Sequence, residues 1–121
     1  MFERFEDIEV WKRGCRIAIE VIRITKSGLM EREWGLRDQV RRSAFSIASN
    51  IAEGYERNSQ KEFRRFLLIA KGSCAELRTQ LYVLQAAELL NPEDCHRLVE
   101  ETKEISSMLQ GLVSSIKTRS D

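Results

Sequence analysis

Apolar side chains recur along the chain in steps of three and four, the spacing of one face of an α-helix, in four separate stretches. In the first, Ile8, Trp11, Cys15, Ala18 and Ile22 form one stripe, and Val10, Ile17, Val21 and Ile24 form a second beside it. The combined face is wider than a single bundle needs. Asp7 is placed to accept hydrogen bonds from first-turn amides, so a helix is expected over about 7–26. Ser27-Gly28 then supplies a stop, because glycine tolerates the left-handed conformation that ends helices.

The second stretch, Leu36, Val40, Ala44, Ile47 and Ile51, predicts a helix over about 34–54 that ends at Gly54. Acidic residues near its start suit the positive end of the helix dipole. Ser59-Gln60-Lys61-Glu62 is a capping box: the serine hydroxyl takes an amide at the third helical position, and the glutamate reaches back to the serine amide. It opens a third helix over about 60–89, some 45 Å long at about 1.5 Å per residue. Phe63, Phe66, Ala70, Ser73, Leu77, Leu81 and Leu84 give that helix a nearly heptad seam. Gly72 in its middle costs about 1 kcal/mol relative to alanine, so it is expected to mark the close approach of another helix. Asn91-Pro92-Glu93-Asp94 provides a cap, a proline whose missing amide does no harm, and two first-turn acids. A fourth helix follows over about 92–117, with Cys95, Leu98, Thr102, Ile105, Leu109, Leu112 and Ile116 on its apolar face and fraying after Lys117. Connections this short force neighbouring helices antiparallel. The expectation is one all-α domain over residues 1–121, an antiparallel up-down-up-down four-helix bundle.

Composition agrees with that class. At 121 residues and 42% hydrophobic, the chain has material for one core, and a single proline with 32% charged residues suits long solvated helices. No apolar run approaches the roughly 20 residues of a membrane span, and the first residues lack the basic and apolar regions of a signal peptide, so a cytoplasmic protein without membrane contact is expected. Cys15, Cys74 and Cys95 are odd in number and form no C-x-x-C pair; they read as reduced core residues. The net charge of +1 hides a segregation: residues 34–82 hold nine basic against five acidic side chains, and residues 83–121 hold four against seven.

Candidate chemistry is sparse. Glu93 and His96 stand at the Glu-x-x-His spacing of di-iron bundles, but such a site takes two of these motifs and His96 is the only histidine. A capped first turn with a surface histidine is the simpler reading. The arginine that helical-bundle ribonucleases carry four to six positions before a histidine is absent, since Leu90, Asn91 and Pro92 stand there. No phosphate-binding glycine loop occurs. Glu53 and Glu62 form a carboxylate pair, but a glycine turn beside Arg57 favours a structural ion pair. Folding the second helix back on the third brings Arg41 and Arg42 within about one turn of Glu76, which suggests a bridge that sets register. Asn50 is a poor helix former unless its amide finds partners. No catalytic residue, metal ligand or cofactor site is expected. The basic side chains Arg41, Arg42, Lys61, Arg64, Arg65 and Lys71 are candidates for contact with phosphates, the alternative being a solvated helix face with Phe63 and Phe66 turned to the core.

Two segments, Ser46-Ile47-x-x-Asn50-Ile51-Ala52-Glu53-Gly54 and Gly72-Ser73-x-x-Glu76-Leu77, with Trp11 in Val10-Trp11-Lys12, resemble a bacterial four-helix-bundle family first noticed in intervening sequences of 23S rRNA genes. The resemblance spans nearly the whole chain. It implies a ring of five subunits, as in family members and in the related accessory variability protein of diversity-generating retroelements, whose basic ring surface binds a reverse transcriptase and RNA. The family's characteristic positions are here Ser46, Asn50, Glu53, Gly54, Arg57, Glu62, Gly72, Ser73 and Glu76. The resulting expectation is a non-enzymatic homo-oligomeric adaptor, pentameric, whose basic surface meets RNA or DNA; the alternative is a protein-interaction scaffold without nucleic acid.

Overall fold

Four helices form where the periodicity places them. In the computed structural model, which describes residues 2–116, they are α1 (Glu9–Thr25), α2 (Trp34–Glu56), α3 (Gln60–Ala86) and α4 (Pro92–Ser115), with short 3-10 turns at Phe5–Asp7 and Gly28–Met30. No strand occurs among the described residues. Each helix packs on its neighbours in sequence and α1 closes against α4, which makes an antiparallel up-down-up-down bundle. The stripes meet along its axis: Ile17 and Val21 from α1, Ile47 and Ile51 from α2, Leu67, Leu77 and Leu81 from α3, and Ile105 and Leu109 from α4 are essentially inaccessible to water. Among the described residues no helix is long and apolar enough to cross a membrane.

The caps follow the sequence at three ends and depart from it at others. Asn91 Oδ1 accepts the Asp94 amide at 2.8 Å and Pro92 occupies the first turn of α4. Ser59 Oγ accepts the Glu62 amide at 3.3 Å, and Gly28 adopts φ +70° beyond the end of α1. Asp7, expected to cap α1, lies instead in the preceding 3-10 turn, and Ile8 holds the capping position without a side-chain bond. Ile8 is drawn there by its burial in the core. Lys117, the expected end of α4, falls outside the described residues.

Gly54 does not end α2. The helix runs on to Glu56, and the chain reverses through Asn58 at φ 59°. Gly54 is needed for a different reason, because a Cβ built on it would sit 2.4 Å from Cβ of Phe66. The reverse holds at Gly72, where an added Cβ meets nothing within 4 Å and the expected close approach is absent within the chain. Leu36, expected in the core, remains 40% exposed at the open start of α2. α3 stops at Ala86, short of the expected Leu89, because Glu88 turns left-handed at φ 63°. The Leu89 amide then donates to Leu84 O and the Glu88 amide to Gln85 O, both at 2.9 Å, closing the last turn in a Schellman arrangement.

Two substitutions should therefore act in opposite directions. Gly54→Ala forces α2 and α3 apart and should lower stability by about 2 kcal/mol, whereas Glu88→Gly removes a left-handed non-glycine residue and should raise it by about 1 kcal/mol. Thermal and urea denaturation of the two variants checks both signs.

Candidate functional site

The residues singled out in the sequence gather on the α2–α3 hairpin. Along its seam, Ser46 Oγ donates to Ser73 Oγ at 2.6 Å, Ser43 Oγ donates to Glu76 Oε1 at 2.9 Å, and Asn50 Nδ2 donates to Ser46 O at 2.7 Å. Asn50 thus has the partner that a mid-helix asparagine requires. The bonds from Ser46 and Ser43 cross between the helices and lock the register of two faces that otherwise pack largely through apolar contacts.

The expected bridge from Arg41 or Arg42 to Glu76 does not form. Helical geometry turns successive residues by about 100°, so Arg41 and Ser43 point some 200° apart. Ser43 faces α3, while Arg41 faces α1. There Arg41 Nε donates to Thr25 Oγ1 at 2.9 Å and Nη2 to Ile22 O at 3.4 Å, which places a cation on the negative C-terminal end of α1. Arg42 points outward and pairs with Asp38 at 3.6 Å.

At the turn, Gly54, Arg57 and Arg65 lie against Phe66, and Glu53 and Glu62 pair with the two arginines. Arg57 pairs with Glu53 at 2.9 Å and approaches Glu62 at 3.9 Å. Arg65 holds both Glu62 oxygens at 3.0 Å. Hydrogen bonding from Arg65 holds the Glu62 carboxyl below its ordinary pKa. Glu62 is therefore engaged forward along α3, and only the serine half of the capping box is formed. The guanidinium carbons of Arg65 and Arg57 lie 4.6 Å and 5.1 Å from the Phe66 ring centre, within cation–π range. The pairing of Glu53 and Glu62 with arginines makes this an ion-pair collar around a buried ring.

The basic side chains do not form one surface. Arg41 is engaged with α1, Arg42 with Asp38, and Lys71 Nζ donates to Gln110 Oε1 of α4 at 2.7 Å. Lys61 and Arg65 are exposed near the α2–α3 turn, with Arg64 half-buried beside them. Glu93 and His96 are both exposed, His96 in a shallow cleft with Tyr82, Glu100 and Lys103. Among the described residues no three His, Cys, Asp or Glu side chains converge as a metal site. Burial pushes the Cys74 thiol up to about 12, in keeping with a packing role.

Two features escaped the sequence reading. Arg13 of α1 donates to both carboxylate oxygens of Glu101 at 2.6 and 3.0 Å and lies 3.0 Å from Glu104, and Arg97 ties Glu20 to Asp94. These pairs join the first helix to the last, so only the bundle topology reveals them. The second feature is apolar: Trp11, Cys15, Ile19, Ile22 and Phe45 line an open groove of about 400 Å³ between α1 and α2. The breadth of the first helix's apolar face foreshadowed it.

Glu76→Ala should cost about 1 kcal/mol through Ser43, and Arg42→Ala next to nothing, because the carboxylate serves the hydroxyl and not the guanidinium. A double-mutant cycle of Ser43→Ala with Glu76→Ala in urea denaturation should show coupling; coupling between Arg42 and Glu76 instead would contradict the geometry.

Against this geometry the comparisons are consistent. A crystal structure of a protein of unknown function from the S23 ribosomal protein family of Bacteroides thetaiotaomicron superposes with a TM-score of 0.78, covering 87% of this chain and 95% of that one at 23% identity. That likeness concerns the fold. No curated protein matches the sequence. The family model described as 23S rRNA-intervening sequence protein matches residues 6–111, a span that includes all four helix cores, the α2–α3 seam and the collar around Phe66. The chain belongs to the 23S rRNA-intervening sequence protein family.

Proposed function

We propose that the chain is a non-enzymatic, cytoplasmic homo-oligomeric adaptor, assembled as a ring of five copies in line with the resemblance described above, that offers a composite surface to another macromolecule. The observation that carries this reading is the amount of apolar surface left outside the core. Ile19 and Phe45 beside the α1–α2 groove are 46% and 55% exposed, and Tyr82 and Val83 on the outer side of α3 are 52% and 58% exposed. Scattered exposed apolar residues are ordinary, whereas grouped ones mark contact surfaces. The polar motif, by contrast, is engaged in hydrogen bonds and ion pairs within the hairpin, where it supports architecture.

A second function, contact with RNA or DNA, is supported by the exposure of Lys61 and Arg65 near one end of the bundle. Weak phosphate contacts repeated around a ring gain effective concentration. Arg41 and Lys71 are engaged between helices and contribute little to it.

Light scattering coupled to size exclusion should give a mass about five times that of the chain; a monomer at tens of micromolar would overturn the adaptor reading. Binding of labelled structured RNA and duplex DNA across a salt series tests the second function. Affinity should fall with salt, and Arg64→Ala with Arg65→Ala should flatten the log–log slope by about 1 to 2. Salt-independent or absent binding leaves the protein-interaction scaffold.

A further inference from the structure

The adaptor reading leaves open how one copy meets the next. Two apolar faces lie on different sides of the protomer. One is the concave groove between α1 and α2, bordered by Trp11, Ile19 and Phe45. The other is a convex ridge along the outer side of α3, where Leu68, Gly72, Ala75, Thr79 and Tyr82 follow one another in steps of three and four and are all exposed. Pairing groove with groove across a two-fold axis would leave the ridge in water, and pairing ridge with ridge would leave the groove. A groove that takes a ridge covers both, and such a heterologous contact is the kind that generates rings.

We infer that the α1–α2 groove of one copy receives the outer ridge of α3 from a second copy, with the two bundles pointing the same way. This rests on the oligomeric reading above and adds to it the surfaces and their direction. Gly72 supports the ridge. It lowers helix propensity by about 1 kcal/mol relative to alanine, and an added Cβ there would meet nothing within 4 Å in its own chain. With Ala75 beside it, the ridge between Leu68 and Tyr82 is low enough for a second helix pair to come close.

Charge sets the direction. α2 and α3 run antiparallel from the turn that joins them, so Glu53 and Glu56 lie at the same end of the bundle as Lys61 and Arg65. Glu56 and Lys61 are exposed and make no ion pair among the described residues. At the opposite end of the bundle Trp34, 69% exposed at the start of α2, is level with Tyr82 and Val83 near the end of α3. Two bundles pointing the same way set acid against base at one end, Trp11 against Leu68 and Phe45 against Gly72 and Ala75 in the middle, and Trp34 against Val83 at the other. Reversing one copy would press Lys61 against Trp34 and Leu36, stripping water from a cation without giving it a partner.

The experiment uses two variants, each spoiling one face: Phe45→Asp in the groove and Leu68→Asp on the ridge. Both positions are exposed in the protomer, so circular dichroism melts should show each variant folded. In sedimentation velocity each alone should be monomeric, and an equimolar mixture should form a dimer and nothing larger, because one intact ridge then meets one intact groove. Full-size assembly by either variant alone, or a mixture that remains monomeric, would overturn the pairing while leaving a wild-type oligomer, and with it the adaptor reading, intact. A monomeric wild-type chain would instead remove the adaptor reading itself. Direction is tested separately. Lys61→Glu should weaken assembly on the order of tenfold, and adding Glu56→Lys to the same chain should restore it; failure to restore overturns the parallel arrangement.

Discussion

Phe66 reaches the core at the α2–α3 turn because residue 54 has no side chain to stand in its way. That approach fixes how closely the two central helices of the hairpin run, and the seam above it depends on the spacing. A displacement of even half an ångström at the turn would lengthen the 2.6 Å contact between Ser46 and Ser73 and the 2.9 Å contact between Ser43 and Glu76. Short hydrogen bonds weaken steeply with distance, whereas apolar contacts re-form after a small slip. Register in this hairpin therefore rests on a few polar contacts, while the bulk of the stabilisation comes from the buried leucines and isoleucines.

The same division explains what could be read from the sequence. Helix number, order and antiparallel packing were legible because each follows from apolar periodicity and from connections too short to allow other topologies. The capping asparagine at position 91 and the left-handed Gly28 were legible because their chemistry is local. Gly54 was misread as a helix end and Gly72 meets no close neighbour within its own chain, since a glycine in a helix announces an exception without saying which: a turn, a close neighbour, or a surface completed by another chain. The Arg41 partnership was also missed. Sequence spacing placed it near Glu76, but a side chain two positions away on the same helix turn serves a different neighbour.

Arginine is used here mostly to fasten helices. Arg13 and Arg97 join α1 to α4, Arg41 closes the end of α1, and Arg57 and Arg65 flank Phe66 with their charges matched by Glu53 and Glu62. The basic excess of the middle segment, which suggested phosphate binding, is thus largely met by carboxylates, carbonyls and hydroxyls of the same chain. A charge count cannot separate these uses, because a guanidinium that caps a helix and one that awaits a phosphate are the same in sequence.

This distribution also constrains the proposed assembly. If the α1–α2 groove and the α3 ridge are occupied by neighbouring copies, the outer side of α4 is left facing solvent, and it is suited to that: Glu93, His96, Glu100, Lys103, Glu104 and Gln110 are all exposed and polar. Residues 83–121 are also the acidic part of the chain, so the outer wall would repel a nucleic acid rather than attract one. Phosphate contact would then be confined to the rim carrying the α2–α3 turn. Lys61 and the neighbouring Arg65 would serve there as phosphate contacts, and Lys61 also as a partner for Glu56 of the adjacent copy, so the two uses would compete for the same rim. Assembly and nucleic-acid binding would accordingly be linked, with a polyanion drawing Lys61 off the subunit contact at low salt and screening weakening both together.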